Sequence, residues 1–168
     1  MQRGDPPQAA ITLRTDIRPG DIGTITAMHG FLYAREYGFD ATFEAYVAGP
    51  LSEFVRAGNE RERIWIAERD GSIVGAVAIV AATDGMAQLR WFLVDPAVRG
   101  AGLGRRLLEE AVAFARDQGY SGIILWTVSA LRAAAHLYTS VGFRKMESIA
   151  ARLWGTDVVE ERYDMSLR

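Results

Sequence analysis

The sequence contains no cysteine, which excludes disulfide bridges, thiolate metal sites, iron–sulfur clusters and a thiol nucleophile. Its only two histidines, His29 and His136, lie far apart in the chain, so we expect no metal cofactor. Basic residues are not in excess, because 19 Lys and Arg stand against 21 Asp and Glu, and a dedicated nucleic-acid binder would be more basic. The longest apolar run, residues 73–82, is too short to cross a bilayer, and residues 1–10 lack the apolar core of a signal peptide. We therefore expect a cytoplasmic protein with neither a nucleic-acid nor a membrane partner.

The length and composition that remain suit one globular domain. The chain has 168 residues and a hydrophobic fraction of 49%, enough to bury a core without a disulfide or a structural metal. Residues 1–10 contain Gly4, Pro6 and Pro7 and little apolar content. We predict that they form a flexible leader and that residues 11–168 form a single domain.

Hydrophobic spacing and turn signals predict the order β α α β β β α β α β β. Asp70-Gly71 and Asp84-Gly85 are typical of tight turns and join three strands into an antiparallel meander. Helices combined with a meander indicate an α+β fold, not a doubly wound nucleotide-binding fold. The predicted strands are 11–14, 63–69, 73–82, 87–94, 122–127, 145–154 and 158–167, and the predicted helices are 19–38, 40–57, 102–118 and 130–141.

Three residues set expectations for the ends and the middle of the first two helices. Pro19 suits the first turn of a helix, and Asp40 suits the capping position of the next one. Gly49-Pro50 lies inside the second helix and should break or kink it.

A glycine-rich turn between a strand and a helix is the most informative segment. Residues 99–104 read Arg-Gly-Ala-Gly-Leu-Gly and precede Arg105 and Arg106. Backbone N–H groups at a helix N-terminus, reached closely through glycines, favour a phosphate ligand. A simple strand-to-helix connector is the alternative. The spacing matches neither the Walker pattern, since it has no lysine, nor the Rossmann fingerprint, which begins a βαβ unit.

The same six residues match the (R/Q)-x-x-G-x-(G/A) signature of the GNAT acyltransferases, the Gcn5-related N-acetyltransferase superfamily. Residues 93–96, Leu-Val-Asp-Pro, resemble the strand end that precedes this signature, and residues 135–143 resemble the A-x-x-L-Y-x-x-x-G-F block that follows it. The resemblance covers roughly residues 11–167 and implies the GNAT-type α+β fold, a mixed but mostly antiparallel sheet of about seven strands with four helices.

Residues 29–40 resemble the front of GNAT domains that are often fused behind winged-helix regulators in bacteria. We take this as kinship within the superfamily, which suggests a bacterial protein, and carry over no DNA-binding function.

The resemblance implies acetyl-CoA, or another acyl-CoA, as the co-substrate. It places the pantetheine arm along the exposed edge of the fourth strand at Leu93 and Val94. It places the pyrophosphate on the backbone of the glycine turn, with positive charge supplied by the arginine on each side. The residues assigned to the pyrophosphate are Arg99, Gly100, Ala101, Gly102, Leu103, Gly104 and Arg105. The asparagine that often contacts CoA in the family is Leu131 here.

The resemblance also assigns Tyr138 to the position of the general acid, which protonates the departing CoA thiolate. The alternative is that Tyr138 only packs in the core. The general base is not identified, because the fourth strand offers Gln88 and Arg90 where many relatives have a carboxylate. Acidic side chains that remain as candidates, or as ordinary surface charges, are Glu36, Asp40 and Glu68.

The acceptor is expected to lie against the first helices. His29, Tyr33 and Tyr37 repeat at every fourth residue and share one helical face, which suits either an amine pocket or plain packing. Trp126 is expected in the core, and Trp154 is a candidate for the border of the acceptor site.

The predicted function is an N-acyltransferase that moves acetyl from acetyl-CoA directly to a primary amine on a small molecule or a peptide. The alternative is a non-catalytic acyl-CoA sensor or interaction module. Because dimers are frequent in the family, a homodimer is also an open expectation.

Overall fold

The computed structural model describes residues 9–168, so most of the predicted leader, residues 1–8, lies outside the described residues. Within the described part of the chain, seven strands form one sheet in the order β1-β2-β3-β4-β5-β7-β6, in which only the β4–β5 pair is parallel. This confirms the predicted α+β class and the mixed, mostly antiparallel sheet with four helices. The strands are β1 (Thr12–Arg14), β2 (Arg63–Arg69), β3 (Ser72–Ala81), β4 (Ala87–Val94), β5 (Gly122–Val128), β6 (Arg144–Leu153) and β7 (Thr156–Ser166), and the helices are α1 (Asp21–Tyr37), α2 (Ala41–Ala57), α3 (Leu103–Asp117) and α4 (Arg132–Val141).

The sheet has a helical layer on each face, and each interface is an apolar core. Leu107, Phe114 and Tyr138 of α3 and α4 pack on one face, whereas Ile25 and Val47 of α1 and α2 pack on the other. The strands that contribute to both cores, such as β3, are therefore apolar on both sides, which explains the continuous apolar run at residues 73–82. Within residues 9–168, no helix combines the length and the apolar content needed to cross a membrane.

The first helix begins and ends at glycines in the left-handed conformation, and not at a proline. Gly20 and Gly38 adopt positive φ angles of 94° and 72° at its two ends, a conformation that glycine enters without steric cost. Pro19 consequently precedes the helix, and the expectation that it lies in the first turn is wrong. Asp21, the first helical residue, accepts two 2.8 Å hydrogen bonds from the Arg14 guanidinium, which ties the start of α1 to β1.

The second helix continues through Pro50, so a break at Gly49-Pro50 does not occur, whereas the alternative, a kink, stays a prediction. Proline removes one backbone donor from a helix interior, but Val47 and Leu51 on either side are 2% and 1% exposed. Their burial against the sheet holds both halves of the helix in place. The predicted cap at Asp40 is present, because its side chain accepts a 2.9 Å hydrogen bond from the Thr42 N–H.

A bulge in β4 and the divergence of β4 from β5 create the opening in which the candidate site lies. Ala76 pairs with Leu93 and Ala78 with Arg90, so two residues of β4 oppose one of β3. Trp91, one of the two, has a φ of 50°. A bulge bends its strand, and β4 and β5 are paired only near their beginnings, at residues 87–88 and 123–124.

Trp126 on β5 corrects another expectation. It was predicted to belong to the core but is 38% exposed. Its neighbour across the ladder is Arg162 of β7, and its ring lines a surface cavity and joins neither of the two apolar cores.

Candidate functional site

A cleft of about 420 Å³ lies beside the end of β4, and we call it the glycine-turn cleft. It contains nearly all residues that the sequence assigned to CoA: Leu93, Val94, Arg99, Gly100, Gly102, Leu103, Gly104 and Arg105 line it. Ala101 is exposed and is not part of the lining. Helix α1 closes the opposite side with Tyr33, Glu36 and Tyr37, and α4 contributes Leu137 and Tyr138.

The start of α3 presents free backbone donors to this cleft. The first helical hydrogen bond runs from the Arg106 N–H to the Gly102 carbonyl at 3.1 Å, so the N–H groups of residues 103–105 have no partner in the helix. Gly100 and Gly102 both have a φ of 84°, which turns the chain sharply into the helix. Unpaired N–H groups and the positive end of the helix dipole suit the phosphates of a nucleotide-containing ligand.

Gly104 has a different role, because it permits close packing of helices α3 and α4. A Cβ at this position would lie 2.8 Å from Leu137 Cδ2 and 3.3 Å from Phe92 Cζ. Both side chains also line the cleft. The third glycine therefore sets the spacing of the cleft walls, whereas Gly102 sets the backbone turn.

Arg99 is held by two groups of the protein. Its Nη1 lies 3.0 Å from Glu36 Oε1 on α1, and its Nε donates a 3.2 Å hydrogen bond to the Val94 carbonyl. The sequence assigned Val94 to the pantetheine arm and Arg99 to phosphate. Arg99 is therefore bonded to the residue that the resemblance assigns to the pantetheine arm.

The other two arginines of the segment point in different directions. Arg105 donates a 2.8 Å hydrogen bond to Ser140 Oγ on α4 and stays exposed beside the cleft. Arg106 reaches the Ile11 carbonyl at 3.3 Å and is not part of the cleft lining.

A second, smaller cavity of about 110 Å³ lies under α1 and α2, and we call it the aromatic pocket. Its walls are the aromatic side chains Tyr33, Phe39, Phe43, Tyr46, Trp91, Phe92, Trp126, Tyr138 and Trp154. Four residues line both cavities: Tyr33, Phe92, Leu131 and Tyr138. The two cavities therefore meet at the gap between β4 and β5. Trp154 lines the aromatic pocket, and that it borders the acceptor stays a prediction.

Tyr138 occupies this junction. Its ring packs 5.7 Å from Phe92 and 6.0 Å from Tyr163 between centroids, and the residue is 5% exposed. Burial, with smaller effects from Tyr33 and Tyr163, raises the pKa of the phenol well above its ordinary value of 10.0. The hydroxyl therefore keeps its proton across the neutral and mildly alkaline range and is a hydrogen-bond donor at the junction.

The predicted aromatic face of α1 divides between the two cavities. His29 and Tyr33 stack at 5.9 Å between ring centroids and line the aromatic pocket. Tyr37 lies 5.4 Å from Tyr33 but lines the glycine-turn cleft, and it has no place in the aromatic pocket. The shared helical face was thus predicted correctly, although its last member faces the expected cofactor and not the expected acceptor.

His29 offers an unprotonated nitrogen to the aromatic pocket. Its Nδ1 lies 2.8 Å from the Ile25 carbonyl, and because a carbonyl only accepts, Nδ1 carries the hydrogen. Burial lowers the pKa of this imidazole from 6.5 to about 4, against the opposing effect of the Ile25 hydrogen bond. The ring is consequently neutral at pH 7, and Nε2 has a free lone pair.

The three carboxylates weighed as proton acceptors lie elsewhere. Glu36 pairs with Arg99 in the cleft, Asp40 caps α2, and Glu68 pairs with Arg14 at 2.8 Å. The carboxylate that does line the aromatic pocket is Glu160 of β7. Sequence reasoning missed it because β7 lies beside β5 only through the strand order of the sheet.

Arg90 and Gln88 of β4 also line the aromatic pocket.

Within residues 9–168, no group of three or more His, Asp or Glu side chains is arranged to hold a metal ion. That the protein works without a metal stays a prediction.

Comparisons with known proteins agree with this geometry. A family model described as the acetyltransferase (GNAT) family matches residues 29–143. N-acetyltransferase family 8 member 2 of Rattus norvegicus is 34% identical over 116 residues, which cover 64% of this chain and 51% of that protein. The chain thus spans about half the length of this curated relative. Similar curated proteins occur in animals and in yeast, so a bacterial origin stays a prediction.

Solved structures show the same fold. A GNAT-family acetyltransferase from Staphylococcus aureus superposes with a TM-score of 0.78 at 20% identity, covering 95% of this chain and 100% of that one. An acetyltransferase from Salmonella typhimurium, whose structure includes its cofactor acetyl-CoA, superposes with a TM-score of 0.73 at 19% identity and covers 95% of both chains. With the family match extending over the glycine turn and Tyr138, this chain belongs to the GNAT acetyltransferase family.

Proposed function

We propose that this protein is an acyl-CoA-dependent N-acyltransferase that moves acetyl from acetyl-CoA to a primary amine on a small molecule or a peptide. The observation that carries the proposal is the junction of two cavities at Tyr138. One cavity has the phosphate-binding features of the glycine turn, and the other is an aromatic pocket. Membership of the family supports the same reaction.

The glycine-turn cleft would hold the CoA part of the co-substrate. N–H groups of residues 103–105 face the phosphates, and Arg99 and Arg105 add charge-assisted hydrogen bonds. The Val94 carbonyl would pair with a pantetheine amide once Arg99 turns towards phosphate. When bound, acetyl-CoA supplies an activated acyl group as a thioester.

The junction of the two cavities would orient the amine and hold the groups that accept and donate protons during the reaction. A neutral amine nitrogen forms a bond to the acyl carbon as the carbon–sulfur bond breaks, so one proton must leave nitrogen and one must reach sulfur. Tyr138 holds a proton for the sulfur, and a phenol in hydrogen-bond reach can donate it. His29 Nε2 and Glu160 are the proton acceptors that line the aromatic pocket. Holding both reactants at one gap removes the entropy cost of bringing them together.

The experiment measures release of free thiol from acetyl-CoA with a panel of primary amines. Turnover by the wild type with loss of turnover in Tyr138→Phe supports the enzyme. CoA binding without turnover of any amine favours the alternative, a sensor or interaction module. Absence of CoA binding contradicts both. As a control on the binding site, Gly102→Glu should abolish CoA binding, because it adds a bulky acid at a left-handed position of the phosphate turn.

A further inference from the structure

Arg90 is a cation inside the aromatic pocket, directly before the bulge of β4. It lines the pocket together with Tyr46 and Trp91, and it is only partly exposed. Its position on the strand that the sequence assigns to the co-substrate puts it close to the junction of the two cavities.

The guanidinium of Arg90 has no anionic partner. Among the described residues it forms no ion pair and donates no hydrogen bond, whereas the half-buried Arg14 and Arg162 are both paired with carboxylates at 2.8 Å. Instead, its central carbon lies 5.0 Å from the centroid of the Trp91 ring and 5.8 Å from that of Tyr46. Aromatic faces orient a guanidinium and leave its N–H groups free to bind a carboxylate in the bidentate geometry.

The remaining lining of the pocket limits what accompanies that carboxylate. The walls are largely aromatic and suit an apolar or aromatic substituent, and Glu160 is the acidic side chain among the lining residues. A pocket with one cation, one anion and aromatic walls matches a small zwitterion.

We propose that the acceptor is an amino acid with an aromatic or branched apolar side chain, and that Arg90 binds its carboxylate while its amine faces the junction. This rests on the proposed function, since it names the substrate class of the same site. The reaction is unchanged: the amine nitrogen gains the acyl group, and the carboxylate takes no part in bond making.

The test compares each amino acid with the amine that lacks its carboxylate. Phenylalanine, tryptophan and leucine are paired with phenethylamine, tryptamine and isoamylamine, and kcat/KM is measured for each at saturating acetyl-CoA. Because a hydrogen-bonded pair with a charged group is worth more than a neutral one, we expect the wild type to prefer the amino acid about 10- to 100-fold in at least one pair. In Arg90→Met this ratio should fall close to one, and Arg90→Lys should keep part of it, since lysine retains the charge without the planar fork.

Two controls keep the result interpretable. Arg144→Met removes an exposed arginine of β6 outside both cavities, and it should leave the preference ratio as in the wild type. Circular dichroism and the KM for acetyl-CoA should be the same in Arg90→Met and the wild type. A wild type without preference, or an Arg90→Met variant that keeps the preference, overturns the proposal.

A binding experiment separates this proposal from the proposed function. Calorimetry in the presence of CoA measures the affinity for each member of the same three pairs and requires no turnover. Suppose that no amine is acetylated but phenylalanine, tryptophan or leucine binds and loses affinity in Arg90→Met. The proposed acyltransferase activity is then wrong, whereas the proposed carboxylate-binding role of Arg90 is supported. If neither turnover nor binding favours the carboxylate in any pair, the carboxylate site is wrong whatever the protein catalyses.

Discussion

Glu36 on α1 and Arg99 in the glycine turn form a 3.0 Å ion pair across the glycine-turn cleft. The pair joins α1, which lines both cavities, to the glycine turn. It also engages the cation that the sequence reserves for pyrophosphate.

Replacing Glu36 by glutamine should strengthen CoA binding. The change removes a negative charge from the cleft and releases Arg99 to the phosphates. A partly exposed ion pair contributes up to about 1 kcal/mol, so we expect a Kd for CoA about two- to five-fold lower, measured by calorimetry at low ionic strength. The difference should shrink at high salt because exposed charges are screened. Weaker binding in Glu36→Gln would show that Glu36 positions Arg99 for the ligand and does not compete for it.

Gly102→Ala should weaken CoA binding more than it weakens the fold. Gly102 has a φ of 84° with open space around the position of a Cβ, so the cost is conformational, about 1–2 kcal/mol for a residue with a side chain. Any relaxation of that strain moves the N–H groups that face the cleft. Gly119→Ala is the matched control, because Gly119 has a φ of 78° and equal open space but ends α3 away from the cleft. Equal losses of CoA affinity in the two variants would contradict a specific role for Gly102.

Tyr138→Phe should lower kcat about 100-fold and leave CoA binding intact. The variant removes only the hydroxyl at the junction, and positioned proton transfer is worth roughly 10²–10⁴ in rate. Tyr163→Phe is the control, since that neighbouring tyrosine donates to Glu161 at 3.0 Å and is outside both cavity linings. Rates are followed by release of free thiol. A Tyr138→Phe enzyme with the wild-type kcat would leave Tyr138 as a packing residue.

His29 should make the protein less stable as the pH falls from 7 to 5. Its pKa is 6.5 when unperturbed and about 4 in the fold, chiefly through burial, so between these values the unfolded chain binds more protons than the native one. The free energy of unfolding then rises with pH in this interval, and the contribution lost between pH 7 and pH 5 is about 2 kcal/mol.

Urea unfolding at the two pH values measures this contribution. His29→Gln cannot titrate and should have a smaller pH dependence than the wild type, whereas His136→Gln, which alters an exposed helix residue, should have the wild-type dependence. If all three proteins lose equal stability, the imidazole of His29 is not protected from protonation by the fold.

Much of the fold and half of the site were predictable from the sequence because they depend on local patterns. The glycine turn follows a strand and begins a helix, so the direction of its free N–H groups is decided within residues 99–106. Tyr138 falls on the inner face of α4 by helical spacing and by its register with Phe143. His29 and Tyr33 share a helical face for the same reason. The order of strands and helices follows from hydrophobic spacing together with the turn signals.

The rest was decided by tertiary structure, since it depends on which distant segments meet. The order β5-β7-β6 brings Glu160 to the aromatic pocket and leaves Trp126 partly exposed. Because β4 and β5 diverge, one face of α1 lines two cavities. Tyr37 therefore lines the glycine-turn cleft, whereas His29 lines the aromatic pocket. Local patterns decide which way a side chain points from its own element, but only the packing of the sheet decides what it meets there.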